Sequence, residues 1–379
     1  LPTIAIDYTP AYEQGGGIGR YVRELVKALA RQHDAYSYRL FVAGVGKKPL
    51  PPSPSLQFTW SPTRITPAWL ARIWYRAHIP FSVENLVGNV DLYHATDFVL
   101  PPTRKTAKTL LTVHDLSFMR VPETASPSLK AYLEDVVPRS ARRADHILAD
   151  SEATRQDLIA YYELDPTKIT VLYSGVDSQF QPVTEKTQLK AVRHKYGLGD
   201  RPYIFSVGTV QPRKNYGRLI EAASLMRERG IEVDVVIAGG RGWLEDPIYA
   251  AIEQYGTSEY VHFIGFAADE DLPALYGGAV CVALPSLYEG FGLPILEAMA
   301  CGVPVLTSNI SSLPEVAGDA ALTVTPTDTE AIVAALIRLI EDDQLRDDLI
   351  QRGFARARQF TWDASAAQLR GIYQAMLGS

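Results

Sequence analysis

The sequence predicts an α/β protein built from two tandem doubly wound parallel-sheet domains. Three observations lead there. The chain has 379 residues, and single domains usually hold about 100–200. Short β-branched runs alternate with longer helical patterns along most of it, the mark of layered parallel sheets. The alternation lapses over 176–200, which includes GVDSQFQPVTEK, and then starts afresh. The boundary is placed in that stretch, giving domains 1–185 and 186–360.

In the first half, strands are predicted at Thr3–Asp7, Tyr38–Ala43, Asp91–His94, Thr109–Val113, His146–Ala149 and Thr170–Leu172. A helix is predicted over Gly19–Arg31, where Val22, Leu25, Val26 and Leu29 recur at helical spacing. Ser151 suits the N-cap of another. In the second half, strands are expected at Tyr203–Val207, Val233–Ala238, Val261–Ile264, Val280–Leu284, Val303–Thr307 and Ala321–Val324. Helices fall between them at about 217–229, 247–255, 270–277 and 293–301, and helices follow from Thr329. Such sheets bind ligands beyond the carboxyl ends of their strands, so an inter-domain cleft is the expected site.

Composition narrows the function. Hydrophobic residues make up 47% and charged residues 21%, which excludes disordered and disulfide-scaffold classes. The net charge of −6 argues against a general nucleic-acid binder. The first 180 residues carry +2 and the remainder −8. Cys281 and Cys301 both lie in apolar runs and read as buried free thiols, not as a disulfide or zinc site. No run of 18 apolar residues and no signal-peptide pattern is present. The expected location is therefore cytoplasmic, with at most peripheral contact at the inner face of the membrane.

Four segments can carry chemistry. In EQGGGIGRYVREL (Glu13–Leu25), Gly15, Gly16, Gly17 and Gly19 lead from a strand into a helix start, where backbone N–H groups and the helix dipole favour an anion. Val22 replaces the third glycine of the dinucleotide fingerprint, and no Walker loop is present. In LLTVHDLSF (110–118), His114 follows a strand and could bond a sugar hydroxyl, act as acid or base, or simply be satisfied by its neighbours. In FSVGTVQPRKNYGRLIEA (205–222), Gly208 ends a strand, and Arg213 and Lys214 stand before a helix, placed to neutralise a diphosphate. In PSLYEGFGLPILEAMACGVPVLTS (285–308), Glu289 lies in a loop and Glu297 in a short helix opened by Pro294 and closed by Gly302. The amides of Gly290, Phe291, Gly292 and Leu293 would point at whatever Glu289 contacts.

Three further features have plainer readings. Asp269-Glu270-Asp271 matches a D-x-D metal motif, yet helix capping explains it better. Asn309-Ile310-Ser311 is a formal sequon only. Trp60–Pro80 holds three of the five tryptophans with Arg64, Arg72 and Arg76 interleaved. It reads first as a helix with Trp69 and Ile73 in the core, and second as a basic surface for anionic membrane or a lipid-linked acceptor.

Together, GGIGRYVREL, TVHDLSF, HILADSEATRQDL, TVLYSGVD, VGTVQPRKN, VHFIGF and EGFGLPILEAMACGVPV resemble family 4 of the retaining glycosyltransferases over nearly the whole chain. The likeness is greatest to bacterial transferases of surface-polysaccharide synthesis, many of them mannosyltransferases. The resemblance implies the GT-B fold, two Rossmann-like domains facing a cleft, with a C-terminal crossover helix over 361–379, in FTWDASAAQLRGIYQAML (360–377), crossing back to the first domain. It implies a nucleoside-diphosphate sugar as donor, GDP- or UDP-linked, and a saccharide or lipid-linked acceptor, with no cofactor and no metal. By position, Gly17 and Gly19 would meet the distal phosphate, His114 the donor sugar, and Gly208, Arg213 and Lys214 the diphosphate. Glu289 with the amides of Gly290–Leu293 would hold the sugar hydroxyls, Glu297 the ribose, and Phe263–Ile264 the base. His114, Arg213, Lys214 and Glu289 are the expected catalytic residues. With no evident nucleophile opposite the sugar, front-side attack is expected, the cations opposing charge on the leaving diphosphate. A sugar-nucleotide epimerase or hydrolase, or a non-catalytic nucleotide-sugar binder, are the alternatives.

Overall fold

In the computed structural model the described residues are 1–46, 48–77 and 79–378. They divide into two compact units, each with one wholly parallel sheet.

The first unit comprises Leu1–Leu116, Ala131–Gly175 and the C-terminal segment from Trp362. Its seven strands are β1 (Thr3–Asp7), β2 (Ser37–Val42), β3 (Phe58–Pro62), β4 (Leu92–Ala95), β5 (Lys108–Val113), β6 (His146–Ala149) and β7 (Ile169–Val171). They run in the order β3-β2-β1-β4-β5-β6-β7. Chain order reverses between β1 and β4, so the crevice beyond these two strands is the topological switch point. The sequence reading missed β3. Its FTWSP run ends in proline and has only one neighbour, since β3 is the sheet edge, where proline is tolerated.

The C-terminal helix Trp362–Leu377 packs into this unit. Trp362 is buried and meets Tyr21 edge-on, with ring centroids 5.9 Å apart. Tyr373 is buried with its hydroxyl 2.8 Å from His94 Nδ1, and Ser365 Oγ donates to the Tyr173 carbonyl at 2.6 Å.

The second unit comprises Ser117–Lys130 and Val176–Thr361. Its strands are β8 (Tyr203–Val207), β9 (Asp234–Ala238), β10 (Val261–Gly265), β11 (Cys281–Leu284), β12 (Val305–Ser308) and β13 (Ala321–Val324), in the order β10-β9-β8-β11-β12-β13. Here the switch point lies between β8 and β11. Both cysteines are buried free thiols that burial pushes up to about 12.

Two boundaries differ from those expected. The second unit begins at Val176, not 186, because Val176 N donates to the Phe360 carbonyl at 3.0 Å and bridges Thr361. Ser117–Lys130 also belongs to it; Trp243 Nε1 donates to the Thr124 carbonyl at 2.8 Å. The Trp60–Pro80 segment is not one helix. Trp60 lies in β3, Pro67–Ala71 is a short helix, and Arg72–Arg76 continues it as a π-turn. Trp69 is 57% exposed, contrary to its expected core position, and the buried residues are Leu70 and Trp74.

Candidate active site

The densest cluster of buried charge in the second unit stands at its switch point. Pro212–Lys214 is a single tight turn after β8, and Asn215, in the left-handed region at φ 61°, converts it into the helix Tyr216–Glu228. Asn215 Nδ2 donates to the carbonyls of Pro285 (2.9 Å) and Pro326 (2.7 Å), tying this turn to two other strand-end loops. Leu287 N donates to the Arg213 carbonyl at 2.8 Å. Adjacent Arg213 and Lys214 are thus held against the loop that follows β11.

Glu289 stands on that loop and receives both cations. Arg213 Nη1 lies 2.7 Å from one carboxylate oxygen and Lys214 Nζ 2.6 Å from the other, and Ser286 Oγ donates to the latter at 2.7 Å. All three charged groups are largely buried. Burial acts to raise the Glu289 carboxyl, but Arg213, Lys214 and the hydrogen bonds from Lys214 and Ser286 outweigh it and hold it down to about 2. Two cations converge on one carboxylate in a poorly solvated place, and oriented side-chain cations of this kind suit a polyanionic ligand.

Glycine makes room for this cluster. Gly208 has φ 150°, and a Cβ there would lie 2.8 Å from Lys214 Cε. Gly292, at φ 105°, turns the loop into the helix Leu293–Ala300, with Pro294 in its first turn and Gly302 beyond its end at φ 75°. Glu289 and Phe291 are both buried, and Ser312 Oγ lies 2.9 Å from the carbonyl oxygen of each, its one proton shared between them. Glu297, on the helix, is buried and accepts from Tyr276 Oη at 2.8 Å. Beyond β9 and β10, Gly239, Gly240, Arg241, Asp246, Tyr249, Phe263, Gly265 and Phe266 line a cavity of about 620 Å³. Phe263 packs on Tyr249 there, with centroids 4.8 Å apart, whereas Ile264 packs into the apolar core instead.

In the first unit the expected residues are placed differently. Gly17 opens the helix Gly17–Arg31, two residues before the predicted start, and Gly16 caps it without a side-chain bond. A Cβ at Gly19 would fall 2.1 Å from the Gln14 carbonyl oxygen, so close packing of the turn requires glycine there; at Gly17 the space is open. His114 is buried, with Nδ1 2.8 Å from Asp150 Oδ2 and Nε2 2.8 Å from the Thr96 carbonyl. A carbonyl only accepts, so Nε2 carries a proton, and the carboxylate faces the other nitrogen. Burial disfavours the cation, but Asp150 overcomes it and raises His114 to about 9. Of the readings open in the sequence, the geometry is that of a histidine satisfied by its neighbours: contact with a sugar hydroxyl through the ring would require exchange of the Thr96 bond.

Asp271 is also placed differently from expectation. It stands at the start of the helix Leu272–Gly277 but makes no cap bond; Lys195 Nζ at 2.6 Å and Tyr196 Oη at 2.7 Å take its carboxylate. Among the described residues, no group of His, Cys, Asp and Glu has the arrangement to hold a metal ion.

Two family models match, "Glycosyltransferase Family 4" over residues 15–180 and "Glycosyl transferases group 1" over 190–356. An O-antigen chain mannosyltransferase B of Escherichia coli is 34% identical over 94% of this chain and 96% of its own. The chain belongs to glycosyltransferase family 4. Its fold is GT-B, as in its structural neighbours. Sucrose-phosphate synthase of Thermosynechococcus elongatus superposes with a TM-score of 0.77 at 22% identity, over 100% of both chains. HepE of Anabaena, in complex with UDP and glucose, gives 0.72 at 19% over 99% of each. This family 4 chain is therefore a glycosyltransferase, and its relatives include several mannosyltransferases.

Proposed function

We propose that this glycosyltransferase moves mannose, with glucose-type hexoses next, from a nucleoside-diphosphate sugar to a hydroxyl of a saccharide or lipid-linked acceptor. The observation that carries it is the buried Arg213–Lys214–Glu289 cluster at the second switch point. A diphosphate entering there meets two cations already desolvated and oriented, so little reorganisation is needed as negative charge grows on the leaving group. Glu289 releases part of its hold on them and accepts from the sugar hydroxyls. Glu297, beside Tyr276, takes the ribose, and the cavity by Phe263 takes the base. Gly17 and Gly19 keep their assigned parts on the strength of the resemblance, and His114 reaches the donor sugar only by exchanging its bond to the Thr96 carbonyl. The choice of mannose rests on the Escherichia coli relative, and a diphosphate nucleotide on the UDP complex of HepE.

The reaction retains anomeric configuration by front-side attack, the leaving diphosphate oxygen accepting the proton of the acceptor hydroxyl. It needs no divalent metal, because side-chain cations and backbone amides meet the phosphates. The enzyme works at the cytoplasmic membrane face, where exposed Trp69 and Ile79 with exposed Arg64, Arg72 and Arg76 suit an anionic lipid surface. Among the described residues, no helix is long and apolar enough to cross a membrane.

A panel of nucleotide sugars, scored by released nucleoside diphosphate with and without mannosides as acceptors, tests the reading. Release that depends on acceptor, with product of the donor's anomeric configuration by NMR, is expected. Equal release without acceptor, and no new glycoside, would establish a hydrolase or epimerase instead.

A further inference from the structure

Three adjacent strands of the first sheet end in line, and each gives its next residue to one chain of contacts. β4 closes at Ala95, β5 at Val113 and β6 at Ala149, and they lie side by side in that order. The residues that follow are Thr96, His114 and Asp150. His114 stands in the middle, with Nε2 2.8 Å from the Thr96 carbonyl and Nδ1 2.8 Å from Asp150 Oδ2. The corner after β6 also holds the His114 backbone. Ser151 caps the helix Glu152–Tyr162, and Thr154 Oγ1 donates to the His114 carbonyl at 3.2 Å. Tyr21 and Phe98 meet the imidazole edge-on, with centroids 5.1 and 5.5 Å away. Phe98 holds φ 53°, a costly conformation for a bulky residue that persists only where its surroundings impose it.

Both partners of the ring, a carbonyl and a carboxylate, only accept hydrogen bonds. A neutral imidazole has one N–H and would leave a ring lone pair facing one of these oxygens. Two protons satisfy both bonds, and the second makes the ring a cation. Asp150 needs that cation in turn. It is 7% exposed, and among the described residues its other oxygen, Oδ1, has no hydrogen-bond partner. His114 is the one cation among the groups that shift it. A buried carboxylate without other compensation is expensive to keep ionised, so imidazolium and carboxylate stand together. Asp97, two residues past β4, also raises His114, which keeps the shared proton on the ring and off Asp150. Asp115 acts on Asp97 and Asp150, and Asp7, at the end of β1, is coupled to Asp97. His94 on β4 does not compete, since burial and His114 hold it down to about 3. Tyr21 stays a neutral phenol, raised by burial and by Asp150.

We propose that Asp150 is a positioning residue of the transferase, which fixes His114 as an imidazolium with Nε2–H as its one donor toward substrate. When a donor-sugar hydroxyl displaces the Thr96 carbonyl, Asp150 keeps Nδ1, and the ring turns no other polar atom to the ligand. The resulting hydrogen bond is charge-assisted and stronger than one from a neutral ring. A ring protonated on both nitrogens cannot take up the acceptor's proton. His114 therefore donates and orients, while the leaving diphosphate remains the base. The assignment rests on the transferase reading above and on His114 in its part beside the sugar.

Nitrogen NMR of the full chain with isotope-labelled histidine tests it, with His114→Gln to assign the signal. In wild type, His114 should keep both ring nitrogens protonated at about pH 8, where an ordinary histidine is neutral. Asp150→Asn is nearly isosteric. Its amide donates to Nδ1 of a neutral ring that keeps the Nε2 proton, so the contact is kept while the charge goes. This variant should show a neutral His114 at the same pH and lower kcat there about tenfold. It should also bring down the alkaline limb of the kcat profile, with nucleoside-diphosphate affinity unchanged. A neutral His114 in wild type at that pH, or an Asp150→Asn enzyme whose alkaline limb coincides with that of wild type, overturns the proposal. Failure to release nucleoside diphosphate from any nucleotide sugar overturns the transferase reading separately, since the protonation of the ring is read without turnover.

Discussion

The two switch points share one topology and differ in charge. In the second unit, Arg213 and Lys214 both pair with Glu289. In the first, Asp7 and Asp97 are raised by burial and by other carboxylates, with the protonated His114 opposing at Asp97. Sheet order therefore fixes where a ligand binds, and a few strand-end residues fix which kind. It follows that net charge is a poor guide. The half with −8 carries the cationic site, and the half with +2 carries the acidic one.

The contrast is broken most severely at Lys214. Lys214→Ala and Arg213→Ala should each lower kcat on the order of 10²–10³-fold or more, as for loss of one oriented charge-stabilising group. Each also strips a partner from buried Glu289. Breaking such a pair typically destabilises by about 3–5 kcal/mol, so thermal unfolding must be measured beside single-turnover rates. Glu289→Gln keeps the volume and frees both cations. It should bind nucleoside diphosphate at least as well as wild type while losing transfer. Glu297→Ala should nearly abolish transfer with the fold intact, read as a rise in donor KM.

Stability separates the units next. Trp362→Ala removes a buried ring that meets Tyr21, and large-to-small changes of this kind cost about 3–5 kcal/mol. The loss should appear as faster hydrogen exchange in the helices Gly17–Arg31 and Trp362–Leu377, with exchange around Arg213 unchanged. Unchanged melting and activity would show that Trp362 anchors nothing.

The buried ion pairs give the units opposite pH responses. Glu289 is held at about 2, below its ordinary 4.5. Its contribution is therefore full above pH 4.5 and lost as pH falls toward 2. His114 is raised from 6.5 to about 9, so its contribution is full below 6.5 and lost as pH rises through 9. Hydrogen exchange should thus loosen the loops around Glu289 first in acid and the ends of β5 and β6 first in alkali. Reversal of that order would reject the protonation states assigned to both.

Much of this architecture was legible in the sequence because it is local. The limits of β1, β6, β8 and β13 follow from β-branched runs bounded by turn residues, and Arg213, Lys214, Glu289 and the glycine hinges stand inside compact motifs. What was hidden depends on distance along the chain. Asp150 reaches His114 across 36 residues, and Lys214 reaches Glu289 across 75. No periodicity reports such pairs, so the satisfied state of His114 was one alternative among several. Asn215 holds the site through carbonyls of two other loops and Ser286 through the carboxylate three residues on, and Ser or Asn in a loop carries no signal of that. The helix Lys186–Lys195 was missed because, of its ten residues, only Val192 is buried.

The smallest expected effect falls on Asp269-Glu270-Asp271, and it sharpens what the cationic site does. If the phosphates needed a divalent ion, this motif would be the natural ligand, and its loss would be as severe as that of Lys214. Asp271 instead holds Lys195, whose side chain is 55% exposed, and Tyr196. Solvent screens a pair whose lysine is this exposed, so it adds little to stability. Asp271→Asn should therefore lower the melting midpoint only slightly, and Asp269→Ala should change kcat less than twofold. Chelator should leave transfer intact in both variants and in wild type. Loss of activity on chelation that metal restores, together with a large effect at Asp269, would move phosphate neutralisation from Arg213 and Lys214 to a bound ion and dissolve the contrast between the two switch points.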